Sequence, residues 1–367
     1  MDIKSNYSNI LISGARSPIA LEMARSFKKL GCKVIMMDSA HLTIARWSNQ
    51  VDQYYIVPSP RFFRQAFIKE VRDIIQAEAI THFIPTCEEA IFVSQNMEHF
   101  KCKVWTSSLT LTLKLHNKYS FTKFQSANFP IPQTTLLTEF TDWDKSDTYV
   151  FKPIYSRFAT SVIINKKLNS IDIPDSEKPN WIAQKKVDGK EICVYSIWDN
   201  GKLKAYACYH PLYRAGKGAG VFFEPVFNEK VLEYVKGFGE EINYTGQLSF
   251  DVIVDVNQTP YFIECNPRGT SGAHLLHENL AKAFLNDETI IHQDKTEYCI
   301  KYAMFIIHLP SYFKSRTLKA KDVIFKWYDI KPFIMQALSL LEISYLKFSK
   351  NITWLEASTS DIEWNHD

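Results

Sequence analysis

Several features that would settle a function class are missing from this chain. No Lys/Arg run is long enough to mark a nucleic-acid-binding arm, and 43 basic against 40 acidic residues leave a formal charge of only +3. Composition therefore gives no support for nucleic acid as a partner. No apolar run approaches the roughly 20 residues a membrane span requires. The opening residues, Met1 to Asn9, run straight into a strand pattern and do not resemble a signal peptide. The seven cysteines form no CxxC pair and are odd in number, which argues against a disulfide frame or a zinc site and for reduced thiols in a cytoplasmic chain. There is no internal repeat and no low-complexity segment.

What remains is a soluble globular composition: 46% hydrophobic and 23% charged over 367 residues. That length accommodates roughly two or three domains of about 100–200 residues each. The N-terminal third alternates strand and helix. Residues 10–13 read as a strand, Gly14 as a turn, and Ala20, Leu21, Ala24, Phe27 and Leu30 as the apolar stripe of a helix closed by Gly31. Lys33–Asp38 is the next strand. Further strand patterns at 51–58, 79–85 and 103–105, with a helix over 61–78, predict an open parallel sheet. Ligands on such sheets sit at the carboxyl ends of the strands. Arg16, Asp38 and Glu88 fall at those ends, and Arg16 and Glu88 are candidate substrate contacts. A dinucleotide-binding strand–turn–helix carries G-x-G-x-x-G, and here Gly14 stands alone, so an NAD site is poorly supported. Cys87 is a candidate nucleophile, but no activating base is legible beside it, and a structural thiol is the simpler reading.

The most informative stretch is residues 244–268. Leu248, Phe250, Val252 and Val254 alternate with Ser249 and Asp251, residues 255–260 form a turn cluster, and residues 261–266 form a returning strand. Glu264 and Asn266 are two apart and so share a face. With Asp251 on the neighbouring strand, three hard oxygen donors come into one small volume, which suits magnesium on a polyphosphate. An ordinary hairpin with acids on a solvated face explains the carboxylates alone. It explains less well the Asn-Pro-Arg-Gly that ends the strand.

Other segments add to this. Lys152 lies inside an apolar strand, residues 148–152, and a buried ammonium needs an anionic partner. The residues after it contain no glycine; Ser156, Thr160 and Ser161 offer hydroxyl donors and Arg157 a charge. Lys118 precedes a short helical pattern with a Pro-marked exit. Residues 181–196 read as strand, linker, Gly turn and strand, in which Gln184, Val187 and Glu191 could meet an adenine edge and a ribose, or could simply form a hairpin with a solvent-facing Glu. Residues 202–224 hold three glycines around Lys217, with Arg214 and His210 nearby. Those residues suggest a mobile loop that compensates charge, while His210 reads equally well as a structural histidine.

The combination of Asp251, Glu264 and Asn266 with Lys118, Lys152 and Glu191 resembles the ATP-grasp superfamily, and the Asn-Pro-Arg ending is most similar to its carbamoyl-phosphate-synthetase and biotin-carboxylase branch. The resemblance covers residues 110–290 well and 1–108 in layout. It implies an α/β and α+β fold: a Rossmann-like domain over 1–108, an ATP-grasp domain over 109–296 with a lid near 119–187, and a mainly helical segment over 297–367. It implies an ATP-dependent ligase that activates a carboxylate as an acyl phosphate and joins it to an amine or other nucleophile. ATP and magnesium would be the cofactors, two ions or manganese in their place. Asp251, Glu264 and Asn266 would hold metal; Lys118 and Lys152 phosphate; Gln184 and Val187 adenine; Glu191 ribose. Arg268 and Lys152 would neutralise charge during transfer, with His274 a weaker candidate; the same role for Arg214 comes from its place in the glycine-containing loop and not from the resemblance. Small-molecule substrates and a homodimer are the implied partners. The alternatives are a nucleotide-binding protein without turnover and a Rossmann oxidoreductase. The tail, rich in Tyr, Phe, Ile and Trp, reads as amphipathic helices around a Pro break, ending in a strand-like piece at Asp361–Trp364.

Overall fold

In the computed structural model, residues 8–124, 129–157, 161–170 and 172–364 are described. The first sheet is parallel throughout. It is built from β1 (Asn9–Ser13), β2 (Lys33–Asp38), β3 (Gln53–Ile56), β4 (His82–Ile84) and β5 (Lys103–Val104), in the order β3-β2-β1-β4-β5. Its inner strands are apolar on both faces because each face is covered. One face packs on the helix Pro18–Lys29 through Ile10, Ile12, Leu21 and Phe27, and the other on the helix Arg64–Ala77 through Leu11, Ile35, Phe67 and Val71. Ser17 caps the first helix and Pro18 begins it, a favoured start because proline's missing N–H is not needed there. Gly14 turns the chain at φ +75°, and a Cβ there would lie 2.4 Å from Thr86 Oγ1, so glycine is required where β1 feeds that helix.

A small antiparallel sheet follows: β6 (Thr134–Leu136), β7 (Tyr149–Pro153) and β8 (Trp181–Lys185), in the order β6-β8-β7. Its own core gathers Phe140, Tyr149, Phe151, Leu168 and Ala183.

The third sheet is the largest. Antiparallel strands β9 (Gly189–Asp199), β10 (Lys202–Ala215), β11 (Ala219–Pro225), β12 (Gly246–Asp255) and β13 (Pro260–Asn266) form its body, with β13-β12-β9-β10-β11 adjacent. The short strands β14 (Ile290–Ile291), β15 (Tyr298–Cys299) and β16 (Lys321–Asp322) extend it. One face carries an aromatic cluster of Phe121, Phe129, Phe238, Phe250 and Phe262, under the helix Glu229–Glu241. The other face shares a core with the first domain, in which Tyr195, Ala205 and Phe223 join Ile19, Met23 and Phe27.

The C-terminal segment contains helices, the longest over Lys331–Lys350, and also contributes β15 and β16 to the large sheet. Arg25 anchors it: its Nε donates to Asp329 at 2.8 Å, with both side chains almost wholly buried. The long helix leaves Ile334, Leu341, Tyr345 and Phe348 exposed. The expected strand at Asp361–Trp364 is absent. The helix Trp354–Thr359, started by a Thr353–Glu356 capping box, gives way instead to an irregular segment whose side chains reach into the first domain.

Candidate active site

Strand register builds the site. In the β12–β13 ladder Asp251 stands opposite Glu264, and Ser249 opposite Asn266. In the β12–β9 ladder Asp251 stands opposite Cys193, with Glu191 two residues earlier on the same strand. A middle strand thus gives Asp251 acidic neighbours on both sides. Ligand atoms of Glu191, Cys193 and Asp251 lie within 4.8 Å of one another. Burial raises the Asp251 carboxyl well above the ordinary carboxylate range, and the charges of Glu264 and Glu191 push it further the same way. Repulsion of this kind is relieved by a divalent cation, and the carboxylates are hard donors that fit magnesium. The thiol of Cys193 is not such a donor; burial holds it protonated.

The ladder is irregular immediately after Asp251. Val252 pairs with Phe262, so Ile263 is left as the extra residue of a bulge. Its carbonyl accepts from Lys152 Nζ at 3.0 Å, and that ammonium also donates to Gln184 Oε1 at 3.0 Å. Lys152 therefore crosses from the small sheet to the acidic hairpin. Burial lowers its pKa to about 8, against the opposing pull of Glu264. Lys118, at the start of the short helix Lys118–Phe121, lies 3.5 Å from Glu264 and donates to the Ser156 carbonyl at 3.0 Å. Two buried lysines and the acid pair thus surround one space, which suits a bound polyphosphate with its counter-ion.

Gln184 is buried and fully used: its Oε1 takes Lys152 and its Nε2 donates to Thr134 Oγ1 at 3.0 Å. Its side chain orients the lysine, and its backbone lies in the middle strand of the small sheet, in register with Thr134 on one side and Val150 on the other. Val187 lies in the linker between β8 and β9, and its N–H and C=O have no hydrogen-bond partner among the described residues. Glu191 is paired with Arg214 at 2.5 Å, so two side chains expected in separate roles come together. Arg214 also donates to the Gly218 carbonyl, which folds the β10–β11 turn back on itself.

Arg268 Nη2 donates to Asn266 Oδ1 at 3.2 Å, and its Nε lies 3.7 Å from Glu88. Glu88 is the hub of the other half of the cleft. Burial would raise its pKa, but His116, Arg157 and Arg268 outweigh that and hold it at about 2. Arg157 pairs with Glu88 and with Glu363. In the glycine-free loop, then, Arg157 is tied into carboxylates, Ser161 is exposed, and Thr160 lies outside the described residues.

Other candidates fall away from the chemistry. His274 is buried against Glu22, 3.3 Å away, and stacks on Phe223. His210 Nδ1 meets the Glu191 carbonyl at 2.6 Å, a structural contact. Burial and Glu89 push the Cys87 thiol up to about 12, far from a reactive thiolate. Lys217 is exposed in the turn. His116, Cys193 and the C-terminal acids carried no sequence signal of their own, because each matters only through partners distant in the chain.

Residues 115–272 match the family model for an ATP-grasp domain. The matched stretch contains the short helix Lys118–Phe121, the small sheet and the body of the large sheet, so this part of the chain is an ATP-grasp domain. Among solved structures, N5-carboxyaminoimidazole synthetase from Staphylococcus aureus complexed with ADP superposes with a TM-score of 0.63 at 15% identity, over 83% of this chain and 85% of that one. Biotin carboxylase from Campylobacter jejuni gives 0.57 at 16%, over 75% and 70%. L-amino acid ligase from Bacillus licheniformis gives 0.53 at 15%, over 75% and 74%. At these identities the likeness is one of fold. No curated protein sequence matched the chain. Among the described residues no helix is long and apolar enough to cross a membrane.

Proposed function

We propose that the protein is an ATP-dependent ligase that joins a carboxylate to an amine or a comparable nucleophile. The observation that carries this reading is the bridge from Lys152 to the Ile263 carbonyl, which sets a buried ammonium beside Glu264 and Asp251 with Lys118 on the same acid. It is supported by a fold shared with a synthetase solved with ADP and with an L-amino acid ligase.

Lys118 and Lys152 hold phosphate oxygens of ATP. Asp251, Glu264 and Asn266 would hold magnesium. When bound, magnesium would neutralise phosphate charge. The backbone of Val187 meets the adenine edge, and Glu191 the ribose once Arg214 turns from it. A carboxylate oxygen of the substrate attacks the γ-phosphorus, the bond to the bridging β–γ oxygen breaks, and ADP leaves. Arg268 lies beside Asn266, where it neutralises charge on the transferred group. The nucleophile then attacks the acyl carbon, the carbon–oxygen bond to phosphate breaks, and the amine's proton is lost to solvent. Arg214 reaches the same cleft from the β10–β11 turn.

The test is mass spectrometry of the product formed from ATP, magnesium and a metabolite extract, with ADP release followed in parallel. Glu264→Ala should abolish ADP release. Wild-type protein that binds NADPH and not ATP would overturn the reading.

A further inference from the structure

Residues 358–364 lie across the carboxyl edge of the parallel sheet. Asp361 accepts from Arg16 Nη1 at 2.6 Å, Arg16 Nη2 at 2.7 Å and Ser39 Oγ at 2.6 Å. Its carbonyl accepts from Ser59 Oγ. Glu363 takes Arg61 at 2.6 Å on one oxygen and Arg157 on the other. Arg157 also donates to the Trp364 carbonyl at 3.2 Å, and the Trp364 N–H donates to Glu88 at 3.3 Å. Trp364 packs on Phe92. The groups contacted follow β3 (Ser59, Arg61), β2 (Ser39), β1 (Arg16) and β4 (Glu88), so one short segment touches the ends of four adjacent strands.

This edge is where open α/β sheets bind ligands. It also borders the nucleotide cleft: Glu88 joins Arg157 to Arg268, and Arg268 reaches Asn266 of the acidic hairpin. What occupies it is a pair of carboxylates presented to three guanidinium groups and the Ser39 hydroxyl; Arg16 also pairs with Asp38 and Arg157 with Glu88, which fixes the guanidinium planes for the fork-like recognition of a small dianion.

We propose that this edge, centred on Arg16, Arg61 and Arg157, is the binding site for an anionic substrate carrying two negative groups, a dicarboxylate or a phosphate ester, and that residues 358–364 are an intramolecular stand-in which the substrate displaces. The proposal rests on the ligase reading for the use made of the bound molecule, but the site itself does not need ATP. Because the segment is tethered, it competes at a high effective concentration, so the wild-type chain binds the dianion weakly until the segment leaves.

The test uses the full chain with glutarate and glycerol 3-phosphate as probes and chloride at matched ionic strength as control. Hydrogen exchange of residues 358–364 in wild-type protein should quicken with one or both probes and not with chloride. Glutarate alone would mark a dicarboxylate site, and glycerol 3-phosphate alone a phosphate-ester site. In the isosteric double variant Asp361→Asn/Glu363→Gln, calorimetry should show the effective probe binding about tenfold tighter than to wild type. Exchange unchanged by both probes, or quickened equally by chloride, overturns the proposal, as does equal affinity in the two proteins. Mg-ATP binding is measured alongside. Loss of ATP binding with dianion displacement intact sinks the ligase reading alone, and the reverse sinks the site alone.

Discussion

The ammonium of Lys152 sits 3.0 Å from the carbonyl of Ile263, the residue left over where the β12–β13 ladder slips by one. The slip turns a backbone oxygen out of the sheet, and the lysine fills it. Such an ammonium has little water, which is why its pKa falls to about 8. An incoming phosphate raises it again. Above pH 8 the free protein must therefore take up a proton to bind ATP, and affinity should fall by about fivefold between pH 8 and 9. Calorimetry in two buffers of different ionisation enthalpy measures both quantities. Lys152→Met should bind ATP weakly and without that pH dependence.

Asp251 makes the opposite expectation. Its carboxyl is pushed up by burial, Glu264 and Glu191, so the folded state holds a proton that the unfolded chain has already lost. Stability from this group is greatest at acid pH and declines as pH rises through the ordinary carboxylate range toward the raised value. Asp251→Asn should thus stabilise the ligand-free protein, by about 1–2 kcal/mol at pH 8 and by less at pH 5. Thermal melts at both pH values check this. With Mg-ATP added, wild type should gain stability and the variant should not.

The sequence made the parallel sheet, the acidic hairpin and Lys152 legible because each is written locally. Alternating apolar residues fix β12 and β13, and a lysine within an apolar strand is conspicuous on its own. Register was harder. Nothing in the spacing of Glu191 and Asp251 says that β9 lies beside β12, so the proximity of Glu191, Cys193 and Asp251 appears only once the large sheet is assembled. The pairing of Arg16 with Asp361, 345 residues apart, was beyond reach for the same reason. The strand pattern at the C-terminus misled because Ile362 and Trp364 alternate with Asp361 and Glu363. The structure uses that alternation to bury apolar side chains and deliver acids to arginines, with no ladder.

His116 and Glu88 give a second pH signature, at acid pH. Burial holds His116 neutral, with a pKa lowered to about 4 from 6.5, although Glu88 lies 4.0 Å away; Lys118, Arg268 and Arg157 add to the fall. The unfolded chain binds this proton first as pH drops, so the contribution is complete above pH 6.5 and lost between 6.5 and 4. The loss is about 3 kcal/mol. Glu88, held at about 2, is lost lower, from about 4.5 down. His116→Asn should flatten the fall in stability between pH 6.5 and 4 and, because His116 helps hold Glu88 down, move the lower drop to higher pH. Urea titrations at half-unit pH intervals separate the two.

Arg25 offers a test of how the C-terminal segment is held. Asp329 is wholly buried and accepts from Arg25 Nε, Ser48 Oγ and the Asn49 N–H, all within 2.8 Å, while Arg25 Nη2 also donates to the Ile324 carbonyl at 2.8 Å. Removing the guanidinium leaves a charge in the interior with hydrogen bonds but no counter-ion, which costs about 3–5 kcal/mol. Arg25→Ala should lower the melting temperature by about 5 °C. The residues it releases, 323–329, join the helix Lys331–Lys350 to the large sheet and, among the described residues, make no hydrogen bond to the acidic hairpin. Limited proteolysis of the variant should therefore cut first in that stretch, while Mg-ATP affinity measured well below the melting point stays at the wild-type value. Equal loss of ATP affinity and of protease resistance would mean that the C-terminal segment and the nucleotide cleft unfold as one unit.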